Sequence, residues 1–126
     1  MLQTAKRPKY LNLVRIRLPI PGIVSIAHRI SGVLMFLAIP FGVYLLHLSA
    51  SGEAGFVRTG EILQLLPVKL FLLVIAWSVY HHLFAGIRYL LIDMDVGVDK
   101  PAARASAVIV FILGLLAALV TLVLLL

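Results

Sequence analysis

Residues 23–48 read "IVSIAHRISGVLMFLAIPFGVYLLHL", a run in which Arg29 is the only Lys, Arg, Asp or Glu. A helix crosses a hydrocarbon core of about 30 Å with roughly 20 residues at about 1.5 Å each, and this run exceeds that length. It is also longer than the roughly 7–15-residue core of a cleaved signal peptide, and it carries His28 and Arg29, which such a core does not need. It is therefore read as a spanning helix that stays in the chain. Working outward, two further apolar runs cover about 68–92 and 106–126. With 126 residues, 63% hydrophobic and 13% charged, and a mean hydropathy of +1.14, the composition lies far from that of soluble domains, where apolar residues make up roughly half. These observations predict an all-α integral membrane protein, with one domain over 1–126 and three transmembrane helices at about 23–48, 68–92 and 106–126.

The net charge of +6 is concentrated before the first run: Lys6, Arg7, Lys9, Arg15 and Arg17 lie in residues 1–22 with no acidic residue among them. Basic flanks mark the cytoplasmic side of membrane helices. The segment 1–22 is thus expected in the cytoplasm, and the charge is assigned to the membrane rather than to nucleic acid. Three crossings then put the loop around "SASGEAGFVRTGE" outside, the loop around "DMDVGVDKPAAR" inside and Leu126 at the outer face. Pro19, Pro21 and Gly22 break the chain before the first helix, Pro67 opens the second and Pro101 precedes the third. Pro40 predicts a kink in helix one, because proline removes an intrahelical hydrogen bond. The absence of cysteine excludes disulfides, thiolate metal sites and covalent haem attachment through C-x-x-C-H.

A charged residue at mid-bilayer costs about 2.5–3.5 kcal/mol on insertion scales, so polar residues inside these runs call for a role. Ser25, His28, Arg29 and Gly32 fall at i, i+3, i+4 and i+7 and share one helix face. They lie within the first turns of helix one, shallow enough for Arg29 to snorkel to the cytoplasmic interface. Snorkelling accounts for Arg29 but not for the company of Ser25 and His28.

The second cluster is "VYHHLFAGIRYLLIDMD", residues 79–95. Neighbouring residues on a helix point about 100° apart, so His82 shares a stripe with Gly86, Tyr89 and Asp93, and His81 a different one with Arg88. A histidine with glycine one turn away leaves room for a flat macrocycle, which favours His82 as an iron ligand. The competing reading is a histidine bonded to a backbone carbonyl or partner helix, with Gly86 serving close helix packing. From the end of helix two near Asp93, Arg88 lies about 7 Å and His82 about 16 Å deep. At the depth of Arg88, His28 and Arg29 complete a cationic collar that could neutralise two haem propionates.

The run "SIAHRISG" followed by "HLFAGIRYLLID" (His82 to Asp93), together with the opening "RPKYLNLVRIRLPIPGIVSIAHRISG", resembles the cytochrome b membrane-anchor subunits of succinate dehydrogenase, respiratory complex II. The resemblance covers the whole chain. It implies a subunit without a succinate site that anchors a flavoprotein and an iron–sulfur subunit, binds one haem b jointly with a second anchor subunit, and helps to form the site where ubiquinone or menaquinone is reduced. On matching positions His82 is an axial ligand of the haem iron, Ser25, Arg29 and Asp93 belong to the quinone site, and His28 lies near the propionates, with Arg29, Arg88 and Tyr89 as further propionate contacts. Tyr89 stands where many relatives have a second histidine; a phenol can still donate a hydrogen bond to a carboxylate. Because His81 and His82 cannot straddle one iron and His28 is too shallow, the other axial ligand is expected from the sister subunit. The implied location is the bacterial cytoplasmic membrane, ahead of the mitochondrial inner membrane. A fumarate reductase anchor, or a small transporter or channel subunit using Arg29, Arg88 and Asp93 along an ion path, are the alternatives.

Overall fold

The computed structural model describes residues 18–125; the five basic residues on which the expected orientation rests lie outside them. Four helices follow one another: α1 Ile20–Ala50, α2 Glu53–Gln64, α3 Leu66–Asp93 and α4 Lys100–Leu125. At about 1.5 Å per residue, α1, α3 and α4 are each about 39 Å or longer, enough to cross a bilayer core even when tilted. They are the three membrane-spanning helices, and large apolar side chains stand exposed along all of them, among them Phe36, Leu46, Leu83, Leu90, Leu115 and Leu124.

Proline sets where the long helices begin. The Pro19 carbonyl accepts from the backbone N–H groups of Gly22 (2.8 Å) and Ile23 (3.2 Å), and Pro21 occupies the first turn, where its missing N–H costs nothing. Pro67 does the same in α3. α4 starts at Lys100, with Pro101 already in its first turn and the Ala103 N–H bonded to the Asp99 carbonyl at 2.8 Å. It therefore begins about two turns before the apolar run that marks it in the sequence, because Lys100–Ala105, where Lys100, Pro101 and Arg104 interrupt three alanines, is helical as well. α1 continues through Pro40 to Ala50.

The connection between α1 and α3 is itself helical. The chain leaves α1 at Ser51, reverses at Gly52 in a positive-φ conformation (φ +119°) that favours glycine, and forms α2 with Glu53 in its first turn. Gly55 permits this return, since a Cβ there would collide with the Leu48 carbonyl and the Ser51 hydroxyl. Thr59 is buried, bonding the Gly55 carbonyl at 2.9 Å.

α3 packs antiparallel to both of its neighbours. Against α1, His28 meets His82 at one level and Phe41 meets Phe71 at another. Against α4, Arg88 meets Ser106, His81 meets Phe111, and Tyr80 receives a hydrogen bond from Thr121 at 3.3 Å. Lys69 closes the far end, donating to the Leu125 carbonyl at 2.7 Å. The tightest apolar cluster, Val24, Ala85, Ala107 and Val110, lies where the start of α1, the end of α3 and the start of α4 converge. Small residues there let the helices approach closely, as in membrane bundles generally.

Candidate functional site

The periodicity of α3 sorts its polar residues between two neighbours. Ser78, His81, Ala85 and Arg88 are buried, and the contacts of His81 and Arg88 run to α4. His82 turns instead to α1, where its Nδ1 lies 3.1 Å from the carbonyl of His28 and 3.1 Å from the hydroxyl of Ser31. A carbonyl only accepts, so Nδ1 carries the proton and donates to both. Both contacts use Nδ1, leaving Nε2 uncommitted among the described residues. The His28 ring stacks on that of His82, with centroids 3.9 Å apart and planes 19° from parallel. Gly32 allows this approach, because a Cβ there would stand 3.1 Å from His82 Cε1.

Next to this pair is Tyr89, its ring centroid 5.3 Å from that of His28. The Tyr89 hydroxyl and His28 Nε2 are both buried without a hydrogen-bond partner among the described residues. Such orphaned groups are uncommon in folded proteins and usually mark a missing partner. Gly86 lies beneath His28; a Cβ there would be in ordinary contact with Nε2 at 3.8 Å. An imidazole with one nitrogen anchored and the other uncommitted, beside two buried polar groups without partners, fits a haem whose iron takes the nitrogen and whose carboxylates take the donors.

Arg88 is 6% exposed. Its Nε donates to Ser106 Oγ at 2.9 Å and its Nη2 to the Ala103 carbonyl at 3.0 Å, while its guanidinium carbon stays 5.4 Å from the Tyr89 ring centroid. These bonds offset the cost of a cation among apolar side chains. The stripe expected on α1 divides: His28 and Gly32 meet α3, Ser25 is half-buried and Arg29 is exposed. Asp93 is also exposed, at the end of α3. Among the described residues the one ion pair is Arg58–Glu61 on α2, so Arg29 and Asp93 are not joined.

Sequence reading missed Ser31 and Ser106. Ser31 is fully buried and follows His28 by three positions, which puts it on the same helix face; that spacing was the available signal. Ser106 could be paired with Arg88 only once the antiparallel register of α3 and α4 was known.

Residues 3–122 match the family model described as succinate dehydrogenase/fumarate reductase transmembrane subunit. The chain belongs to this family. It is 37% identical over 114 residues, 90% of this chain and 91% of the relative, to the succinate dehydrogenase cytochrome b556 subunit of Coxiella burnetii (strain RSA 493 / Nine Mile phase I). Family membership and three bilayer-length helices make the protein a membrane-anchor subunit. They also remove the independent transporter or channel reading of Arg29, Arg88 and Asp93.

Proposed function

We propose that this chain is the cytochrome b anchor of a succinate:quinone oxidoreductase in a bacterial inner membrane, with its N-terminus cytoplasmic, and that His82 is one axial ligand of a single haem b. The observation that carries the reading is the His82 imidazole, tethered through Nδ1 to α1 with Nε2 uncommitted. The name of the Coxiella relative supports the succinate direction over fumarate reduction. Bound at this site, haem b supplies one-electron redox chemistry.

The rest is work for the chain's own residues. His82 would hold the haem iron through its Nε2 lone pair, together with a histidine of a sister anchor subunit. His28 Nε2 and the Tyr89 hydroxyl would hold the haem's carboxylates, and Arg29 and Arg88 would add positive charge. Ser25, Arg29 and Asp93 form the quinone contacts on the cytoplasmic side: Ser25 donates to a carbonyl oxygen, Arg29 stabilises the charge that oxygen gains on reduction, and Asp93 relays protons. The flavoprotein and iron–sulfur subunits dock on this side and deliver the electrons. Exposure of Arg29 and Asp93 in the single chain is consistent with a pocket completed by other subunits.

The test is purification of the complex in mild detergent. A b-type spectrum and copurification of a flavoprotein, an iron–sulfur protein and a second small membrane protein are expected. Ser25→Ala and Arg29→Leu should lower succinate:quinone turnover while dye-coupled succinate oxidation and haem persist. Normal quinone turnover in both variants would remove these residues from the site.

A further inference from the structure

We propose that Ser31 is a positioning residue for the iron ligand: its hydroxyl accepts the Nδ1–H of His82 and thereby sets the tautomer, orientation and donor strength of the imidazole. The inference rests on the haem reading above.

Ser31 is 0% exposed within a membrane helix. A buried hydroxyl there needs a partner, and the usual solution is a bond back to a carbonyl one turn earlier. Ser31 makes it, donating to the His28 carbonyl at 2.7 Å. That bond uses its only proton, so toward His82 Nδ1, 3.1 Å away, Ser31 can only accept. The His28 carbonyl lies 3.1 Å from the same Nδ1 and also can only accept. Two independent acceptors therefore agree on one assignment: Nδ1 protonated and the Nε2 lone pair free.

This is the state that iron ligation requires. In the other tautomer Nε2 would carry the hydrogen, and Nδ1 would face the lone pairs of the His28 carbonyl, while the Ser31 hydroxyl could donate to Nδ1 only by giving up its bond to that carbonyl. Ser78 on α3 shows the bland use of the same residue type: its hydroxyl donates to the Val74 carbonyl at 2.8 Å and has no side-chain partner among the described residues. Ser31 differs because its carbonyl-bound hydroxyl is also in reach of an imidazole on another helix. Gly32, the next residue, clears the space for that ring.

An acceptor on the distal N–H makes an imidazole a stronger donor to its metal, and loss of such a partner typically weakens metal binding by about 10–100-fold. The His28 carbonyl remains when Ser31 is changed, so the lower end applies. A weaker donor stabilises ferric iron less than ferrous, so the midpoint potential should rise.

The experiment uses the detergent-purified complex and two readouts, the redox midpoint of the haem and the rate of haem transfer to excess apomyoglobin. Ser31→Ala should give a more positive midpoint and haem loss about tenfold faster. Ser31→Cys, whose sulfur is a weak acceptor, should fall between Ala and wild type. An unchanged or more negative midpoint in both variants, in complexes whose haem disappears with His82→Ala, would overturn the role of Ser31 and leave the haem reading intact. Absence of b-type haem from the wild-type complex, or its persistence in His82→Ala, would overturn the ligand assignment itself. If Ser31→Ala does not assemble, Ser31→Cys decides by the same midpoint criterion.

Discussion

On α3, His82 faces α1 and donates from Nδ1 to two oxygens, whereas His81, one residue earlier, packs on α4 and makes no hydrogen bond from either ring nitrogen among the described residues. His81 is 0% exposed. It is stacked on Trp77 with centroids 5.2 Å apart and lies 5.4 Å from Phe111. The same side chain is thus held by polar groups in one place and by aromatic rings in the other. A rotation of about 100° between consecutive helix positions is enough to exchange one environment for the other. A histidine pair in a membrane helix therefore does not signal two equivalent ligands; the neighbouring helix decides what each can do.

The comparison breaks most directly at the histidines. His82→Ala should abolish the b-type spectrum of the purified complex or reduce it to a small fraction of wild type, because it removes the imidazole that α1 holds through Nδ1. A spectrum that survived in His82→Ala and vanished in His81→Ala would reverse the assignment.

Glycines on the partner helices give a finer version of the same contrast. A Cβ on Gly32 would meet His82 Cε1 at 3.1 Å, while one on Gly114 would stand 3.5 Å or more from His81. The first distance requires the ring to yield by a few tenths of an ångström; the second is ordinary packing. Gly32→Ala should therefore shift the haem midpoint and accelerate haem loss several-fold, in the direction of a loosened ligand. Gly114→Ala should leave the spectrum and midpoint at wild-type values. Equal effects from both substitutions would mean that the two histidines are not differently seated.

Much of this arrangement was legible in the sequence and some of it was not. The three apolar runs identify the spanning helices because hydrocarbon imposes length and composition directly. The separation of the His81 and His82 stripes follows from helical geometry alone, and the structure has it: His81 and Arg88 contact α4, His82 contacts α1. α2 was hidden. Its 12 residues mix Glu53, Arg58 and Glu61 with two glycines, a pattern that reads as loop until packing against α1 is known. Which neighbour His28 and Arg88 each touch did not follow from equal depth, because depth fixes height along the bundle and not direction around a helix. Arg88 reaches Ser106 on α4, while His28 stacks on His82.

The smallest expected effect concerns His81. A polar group buried without a partner costs about 1–3 kcal/mol, and His81 has two such nitrogens in a cage of Trp77, Phe111 and the close approach of α4 at Gly114. Phenylalanine is planar, apolar and only slightly larger, so it can keep both aromatic contacts while removing the unsatisfied nitrogens. Against that gain stands the added ring volume beside Gly114, where overpacking costs about 1–3 kcal/mol when neighbours cannot yield. Even a Cβ added at Gly114 would stand 3.5 Å or more from His81, so the polar term should win by about 1 kcal/mol. His81→Phe should retain the full b-type spectrum and raise the temperature at which the detergent-solubilised complex loses its haem. His81→Ala, which opens a cavity beside Trp77, should lower that temperature. A fall with His81→Phe comparable to that with His81→Ala would show that the ring nitrogens find partners in the assembled complex, and the contrast between a hydrogen-bonded and a dry histidine would then hold only for the isolated subunit.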